Sequence, residues 1–251
     1  MIEIHPLPAI GEVPAGADLA AILVDALTAA GVTLRADDIL IVTQKIVSKA
    51  EGRFVDLAAV IPGAEALRLA GVTRKDPRLV ELVLSESTDV VRAVPNVLIT
   101  RHRLGLVMAN AGIDRSNLGP GRADSALLLP VDPDASAGRL RTAIGLRTGT
   151  APAIIISDSF GRPWRYGVVS VAIGAAGLPA LIDRRGDRDR DGRTLEVTQV
   201  ALGDIVATAA GLATGEGAEG VPAALVRGVA LTTDANPATT LVRPLTEDLF
   251  Q

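Results

Sequence analysis

Asp158 and Ser159 follow the apolar segment Ala153 to Ile156, and Arg162 and Arg165 come a few positions later across a Gly-Arg-Pro sequence. An unbroken apolar run of this kind predicts a buried strand, which would set the carboxylate and the hydroxyl at the end of a rigid element. A carboxylate beside two guanidinium forks can hold a divalent cation against a phosphate. The plainer alternative is an aspartate accepting backbone N–H bonds in a tight turn, with Trp164, the only tryptophan, plugging the core. Asp114 repeats the pattern in Gly112-Ile-Asp-Arg-Ser-Asn117, a polar patch straight after an apolar segment. Its side chains offer the hard oxygens that magnesium or manganese prefers and an amide for a base or ribose. An Asx-turn is the alternative there. As a pair, Asp114 and Asp158 would bring two carboxylates from two strand ends to one metal bridging phosphate oxygens.

Lys45 and Lys49 are two of only three lysines, four positions apart behind a further apolar run, Ile39 to Val42. A helix there would put both on one face, where lysine meets phosphate as a point charge. No Gly-x4-Gly-Lys-Ser/Thr and no strand-linked Gly-x-Gly-x-x-Gly occurs, so a nucleotide would be held by a less common architecture. Asp187-Arg-Asp-Arg-Asp-Gly192 begins like a calcium loop, but the position that needs a bidentate glutamate is Thr198. That leaves a solvated loop of cancelling charges or an arginine-rich flap over an anionic substrate. His5 and His102 are isolated, so no catalytic triad or histidine metal pair can be assembled. Thr214-Gly-Glu-Gly217 fits either a helix C-cap or a glycine-rich ligand loop.

The elements that must position these groups alternate between strand and helix. Ile2 to Leu7 is expected as a strand and Ala17 to Ala30 as a helix stopped by Gly31. Asp76-Pro77 opens a helix to about Ser85, and Val97–Thr100 and Leu106–Ala109 are expected as strands around an Arg/His turn. Asp134 or Ser136 is expected to cap a helix to Arg147. Val168–Ala172 should be a strand, Ala201–Ala213 a helix, and Val229–Leu231 a late strand. The pattern predicts an α+β fold with mixed sheets and flanking helices.

The chain has 251 residues, 48% of them hydrophobic, enough for one large domain or two small ones sharing a core. Aromatics make up 2% and the net charge is −4, which argues against a nucleic-acid surface. The absence of cysteine excludes disulfides, zinc–thiolate sites and thiol nucleophiles. The start lacks a signal-peptide pattern, and the longest uncharged apolar run, Gly167 to Ile182, holds three glycines and a proline. A cytoplasmic protein with no membrane or nucleic-acid partner is expected.

Several separated blocks resemble, in the same order, the coenzyme F420:L-glutamate ligases, also called F420-0:γ-glutamyl ligases. They are Leu7-Pro8, Gln44-Lys-Ile-Val-Ser-Lys-Ala-Glu-Gly52, Asn110-Ala-Gly-Ile-Asp-Arg-Ser-Asn117, Ser157-Asp-Ser-Phe-Gly-Arg-Pro-Trp-Arg165 with Val171-Ala-Ile-Gly174, Gly192-Arg-x-Leu-Glu-Val-Thr198 and Gly215-Glu-Gly-Ala-Glu-Gly220. The resemblance implies an unusual α+β fold, with residues 1–251 forming one ligase domain or two intimately packed subdomains, and an intertwined homodimer. It implies use of GTP, of two Mg2+ or Mn2+ ions and of K+ to add L-glutamate to coenzyme F420-0 and extend a γ-linked tail through an acyl phosphate. By the same resemblance Asp114, Asp158 and Ser159 match metal positions. Leu7, Pro8, Ala9, Ile10, Gln44, Lys49 and Asn117 match nucleotide contacts, with Gly215 and Glu216 in a nucleotide loop. Asp114, Asp158 and Lys49 would carry the catalysis, Lys49 by neutralising phosphate charge. Arg162 and Arg165 are the cationic groups expected to grip the acidic acceptor.

Ser159 stands where the family often has threonine, and Asp191 where an aromatic residue is expected. The chain ends at Gln251, the pattern of the stand-alone form without a nitroreductase-like extension. Two other functions fit the same residues: a GTP-dependent ligase for a different carboxylate, and a non-catalytic nucleotide-binding homodimer. The latter would not need two carboxylates meeting at the γ-phosphate.

Overall fold

A computed structural model describes residues 1–231 and 234–248; Gln251 lies outside them. The first part of the chain forms β1 (Glu3–Pro6), α1 (Leu19–Ala29), β2 (Ile39–Thr43) and α2 (Gln44–Ala50). There follow β3 (Phe54–Asp56), α3 (Ala64–Thr73), α4 (Pro77–Ser85), β4 (Ser87–Val94), β5 (Val97–His102), β6 (Val107–Ala109) and β7 (Ser125–Leu127). The remainder is α5 (Pro133–Thr148), β8 (Ala153–Arg162), β9 (Arg165–Ala176), β10 (Ile182–Asp183), β11 (Gln199–Val200), α6 (Leu202–Thr214) and β12 (Ala223–Arg227). The expected α+β class with mixed sheets is what the chain forms.

The main sheet has the order β1-β12-β2-β8-β9, antiparallel throughout except for the parallel pair β2–β8. Its central strands are buried on both sides, which is why they are apolar runs rather than alternating ones. Leu40 and Val42 of β2 and Ile154 and Ile156 of β8 pack with α1 and α5, through Leu23, Leu27, Leu140 and Ile144. Ile39, Ile41 and Ile155 face the opposite way, onto Val206, Ala207 and Ala210 of α6. A third cluster, Leu57, Leu69, Val80, Val83, Leu98, Ile113 and Leu128, joins α3 and α4 to the sheet β4-β5-β6. Alanine, leucine, isoleucine and valine make up nearly all of the three, with Met108 the exception among the buried residues.

The structure moves several expected boundaries. β8 does not stop before Asp158: it runs on to Arg162, because β9 continues to pair with it after β2 has turned away into α2. β9 likewise extends well beyond Val168–Ala172 in both directions. The late strand is Ala223–Arg227, where the chain can pair with both β1 and β2; Val229–Leu231 is irregular, following Gly228 with φ 86°. Trp164 is no core plug. It occupies the two-residue turn between β8 and β9 with φ 58° and is 81% exposed.

The cap of α5 is Asp132, ahead of the expected Asp134 or Ser136: its carboxylate accepts from Ala135 N–H, and Pro133 opens the helix. Asp134 instead accepts from Ala175, Ala238 and Thr239 N–H, tying the first turn to β9 and to the segment that follows Pro237. Asp132→Ala should cost about 1 kcal/mol, the usual value of a lost cap, and lower Tm by roughly 2–4 °C in a thermal melt. Among the described residues no helix is long and apolar enough to cross a membrane.

Candidate active site

A cleft of about 940 Å³ opens where β2 and β8, running parallel, stop sharing hydrogen bonds. Their last pair is Thr43 with Ser157. β2 then becomes α2, while Asp158 and Ser159 stay on β8 opposite Val171 and Ser170. A bulge between the pairs Ile156–Gly174 and Ser157–Ala172 changes the twist just ahead of Asp158. A strand held from one side only, beside a departing helix, therefore presents the carboxylate to the cleft. The rigid placement expected at a strand end is achieved by the loss of a neighbour rather than by the end of the strand.

Asp114 reaches the same cleft from another core. After β6 the chain turns through Asn110, Ala111 and Gly112, all at positive φ. It then locks Asp114 to Leu127 by two backbone hydrogen bonds of 3.0 and 2.9 Å. Its side chain does not cap its own turn. Oδ2 accepts from Gln44 Nε2 at 2.8 Å and lies 3.5 Å from Lys45 Nζ, while Ser48 Oγ donates to Gln44 Oε1 at 2.9 Å. Ser48 and Gln44 are buried, so this relay fixes the Asp114 carboxylate from within α2. Gln44 thus touches the site through a carboxylate.

The electrostatics of the pair are unfavourable in the free protein. Burial first, and then the charge of Asp114, push the Asp158 carboxyl up to about 7, with Glu216 adding to the repulsion. Burial also raises Asp114, against the pull of Lys45, Gln44 and Lys49. Two desolvated carboxylates whose charge Lys45 only partly offsets are what a divalent cation would relieve. Among the described residues no three His, Asp or Glu side chains gather into a complete metal cage. The donor set of Asp114, Asp158 and the Ser159 hydroxyl fits a hard cation that draws its other ligands from phosphate and water.

The rest of the lining comes from the N-terminal segment and the glycine loop. Ile10 lines the cleft with Gly11 and Glu12; Leu7 is in the core, and Pro8 and Ala9 are exposed and outside the lining. Lys49 pairs with Glu12 at 2.6 Å. Asn117 donates to Gly217 O at 3.4 Å, and Ser159 donates to both oxygens of Glu216 at 2.8 and 2.7 Å, so the loop is tied across the cleft. Gly215 serves both expected uses: its N–H caps α6 onto Gly211 O, and the residue lines the cleft.

Arg162 and Arg165 face each other at the end of the β8–β9 hairpin, just past the lining residues Gly161 and Val168 and outside the lining itself. Arg162 donates to Tyr166 O. The charged loop after β10 is exposed and internally paired, Arg184 with Asp187 and Arg185 with Asp183. Glu12 and the Asp114–Lys45 pairing were not anticipated from the sequence: Gly11-Glu-Val carries no motif, and Lys45 was indistinguishable from Lys49.

The model of the F420-0:gamma-glutamyl ligase family matches residues 9–228. The chain belongs to this family. The coenzyme F420:L-glutamate ligase of Methanothermobacter thermautotrophicus is 44% identical over 228 residues, covering 91% of this chain and 88% of that one. The protein of the same name from Methanopyrus kandleri is 45% identical over 228 residues, with 91% and 87% covered. That from Methanocaldococcus jannaschii is 40% identical over 214 residues, with 85% and 84% covered. All the cleft residues described above lie inside the stretch matched to the F420-0:gamma-glutamyl ligases.

Proposed function

We propose that the chain is a GTP- and divalent-metal-dependent ligase that joins L-glutamate to coenzyme F420-0 and extends its γ-linked tail. The observation that carries this is the arrival of Asp114 and Asp158, from two separate cores, in one cleft of a member of this family. In the proposed reaction an acceptor carboxylate oxygen attacks the γ-phosphorus, and the bond to the β-phosphate breaks to release GDP. The amine of glutamate then attacks the acyl carbon, phosphate leaves, and the amine gives up a proton as the amide forms. Mg2+ or Mn2+ on Asp114, Asp158 and Ser159 would neutralise phosphate charge.

The chain's own residues do the positioning. Ser48 and Gln44 hold the Asp114 carboxylate, β9 holds Asp158, and Lys45 adds a cation beside them. The glycine loop, anchored through Ser159 and Asn117, covers the cleft. Sustained release of GDP and phosphate should require both L-glutamate and F420-0. Sustained release with neither F420-0 nor glutamate present, or release at an unchanged rate whether or not glutamate is added, would refute a ligase. Turnover with another carboxylate in place of F420-0 would move the assignment to a ligase of different acceptor.

Arg165 is proposed to meet the acidic acceptor from the hairpin. Arg165→Lys keeps the charge and loses the two-pronged grip, so acceptor KM should rise about tenfold with GTP affinity unchanged. An unchanged KM would place the acceptor pocket elsewhere. Trp164, Tyr166 and Val168 on that hairpin are 81%, 102% and 49% exposed, an apolar edge that supports the expected homodimer. Light scattering should give twice the chain mass at micromolar concentration; a monomer under active conditions would overturn it.

A further inference from the structure

Lys49 lies one helical turn beyond Lys45, roughly 6 Å along α2, and its ion pair is with Glu12 rather than with Asp114. It is almost fully buried, and its ammonium donates to Glu12 Oε1 at 2.6 Å. The Glu12 side chain is half-exposed and faces the cleft, and among the described residues Oε2 accepts no hydrogen bond. The carboxylate is seated against Gly119, where a Cβ would come 2.7 Å from Oε1 and 3.1 Å from Oε2. The same cleft is lined by Ile10, Ile46, Met108 and Ile113. It thus combines apolar wall for a flat ring with one fixed donor beside a two-oxygen acceptor.

We propose that Glu12, with Lys49, reads the hydrogen-bonding edge of a guanine base and so sets the nucleotide specificity of the cleft. Guanine offers an acceptor, O6, next to two donors, N1–H and the 2-amino group. Lys49 supplies the donor for O6 and the Glu12 carboxylate the acceptors for the other two. Adenine would set its 6-amino group against the ammonium and its N1 lone pair against the carboxylate, leaving both charged groups without partners. The inference rests on the reading that a nucleoside triphosphate fills the cleft, and it moves Lys49 from the phosphates, where Lys45 stands, to the base.

Binding of GTP, ITP, XTP and ATP to the wild-type protein and to Glu12→Gln, measured by calorimetry, tests this. Hypoxanthine lacks the 2-amino group, and xanthine carries an oxygen in its place. The wild type should prefer GTP to ITP by about tenfold and to ATP by about a hundredfold, less than a fully enclosed site achieves because Glu12 is half-exposed. Glu12→Gln should bind GTP about tenfold more weakly, treat GTP and ITP alike, and bind XTP better than the wild type does, since its amide can donate to the added oxygen. If Glu12 only balances the charge of Lys49, the substitution changes all four affinities by one common factor, and the proposal fails. It fails too if the wild type binds GTP and ITP equally, a result that needs no variant to fold. GTP preference surviving in Glu12→Gln overturns this proposal alone, whereas a wild type that binds no nucleotide overturns the proposed function with it.

Discussion

Asp158→Asn is expected to abolish ligase turnover and, in the same protein freed of metal by chelation, to raise thermal stability. Its carboxyl is pushed from the ordinary 3.8 up to about 7 by burial and by Asp114. The unfolded chain releases this proton near pH 4, while the folded chain keeps it to about pH 7. Between those values the folded state binds more protons, so stability falls as pH rises across the window. The asparagine removes that penalty: its advantage should be absent below about pH 4 and complete above about pH 7. A gap of this size corresponds to on the order of 4 kcal/mol, or roughly 8–16 °C in Tm for a chain of this length. On the proposed role of Asp158 as a metal ligand, turnover should fall about a thousandfold or more, because several kcal/mol of charge stabilisation go with the ligand. Melts of both proteins in chelator at pH 4, 6 and 8 provide the check. An asparagine variant that is no more stable at pH 8 would show that Asp158 is neither buried from water nor repelled by Asp114 in solution.

Gly174→Ala should be among the most damaging single methyl additions at the described glycines. A Cβ there would lie 2.4 Å from Pro133 O and 2.5 Å from Pro133 C, both backbone atoms. Neither side can yield cheaply. Gly174 pairs with Ile156 in β8, and Pro133 is the first residue of α5, pinned by the Asp132 cap and by the Asp134 bond to Ala175 N–H. Forced overlap of this kind costs about 3 kcal/mol or more, so Tm should drop by roughly 6–12 °C, with a matching loss of urea midpoint. A variant melting within about 2 °C of the wild type would mean that α5 can slide off the sheet, contrary to the packing seen here.

Much of this was legible in the residues, for physical reasons that also mark where legibility ended. The apolar runs of β2 and β8 announced central strands because no other element so short is buried on both faces. Asp76-Pro77 announced α4 because a cap and a proline act locally. α3 passed unnoticed: Gly71 interrupts Ala64–Thr73, and its apolar face makes sense only against α4. β4 was equally hidden, since Thr88 to Arg92 are exposed and its pairing with β5 shifts register twice. At the site, Asp114 and Asp158 stood out because both follow apolar segments. Glu12 did not, because its meaning arises only when a distant helix brings Lys49 beside it. The same long-range dependence explains Trp164, whose bulk suggested burial while Pro163 before it made a turn.

The two carboxylates adjoin different hydrophobic clusters, Asp158 through Ile156 and Phe160 the main sheet, Asp114 through its neighbour Ile113 the α3–α4 cluster. Whatever is bound by both is therefore a cross-link between the two clusters, added to the packing of Met108 and Leu129 into the main-sheet core and to the backbone bond from Arg53 N–H to Ser48 O. Occupancy and mechanical integrity become one equilibrium: at a free ligand concentration a hundred times Kd, the linked state gains about 2.7 kcal/mol. Hydrogen exchange at the seam between the clusters should accordingly slow when the cleft is filled, while exchange deep within either cluster stays as it was.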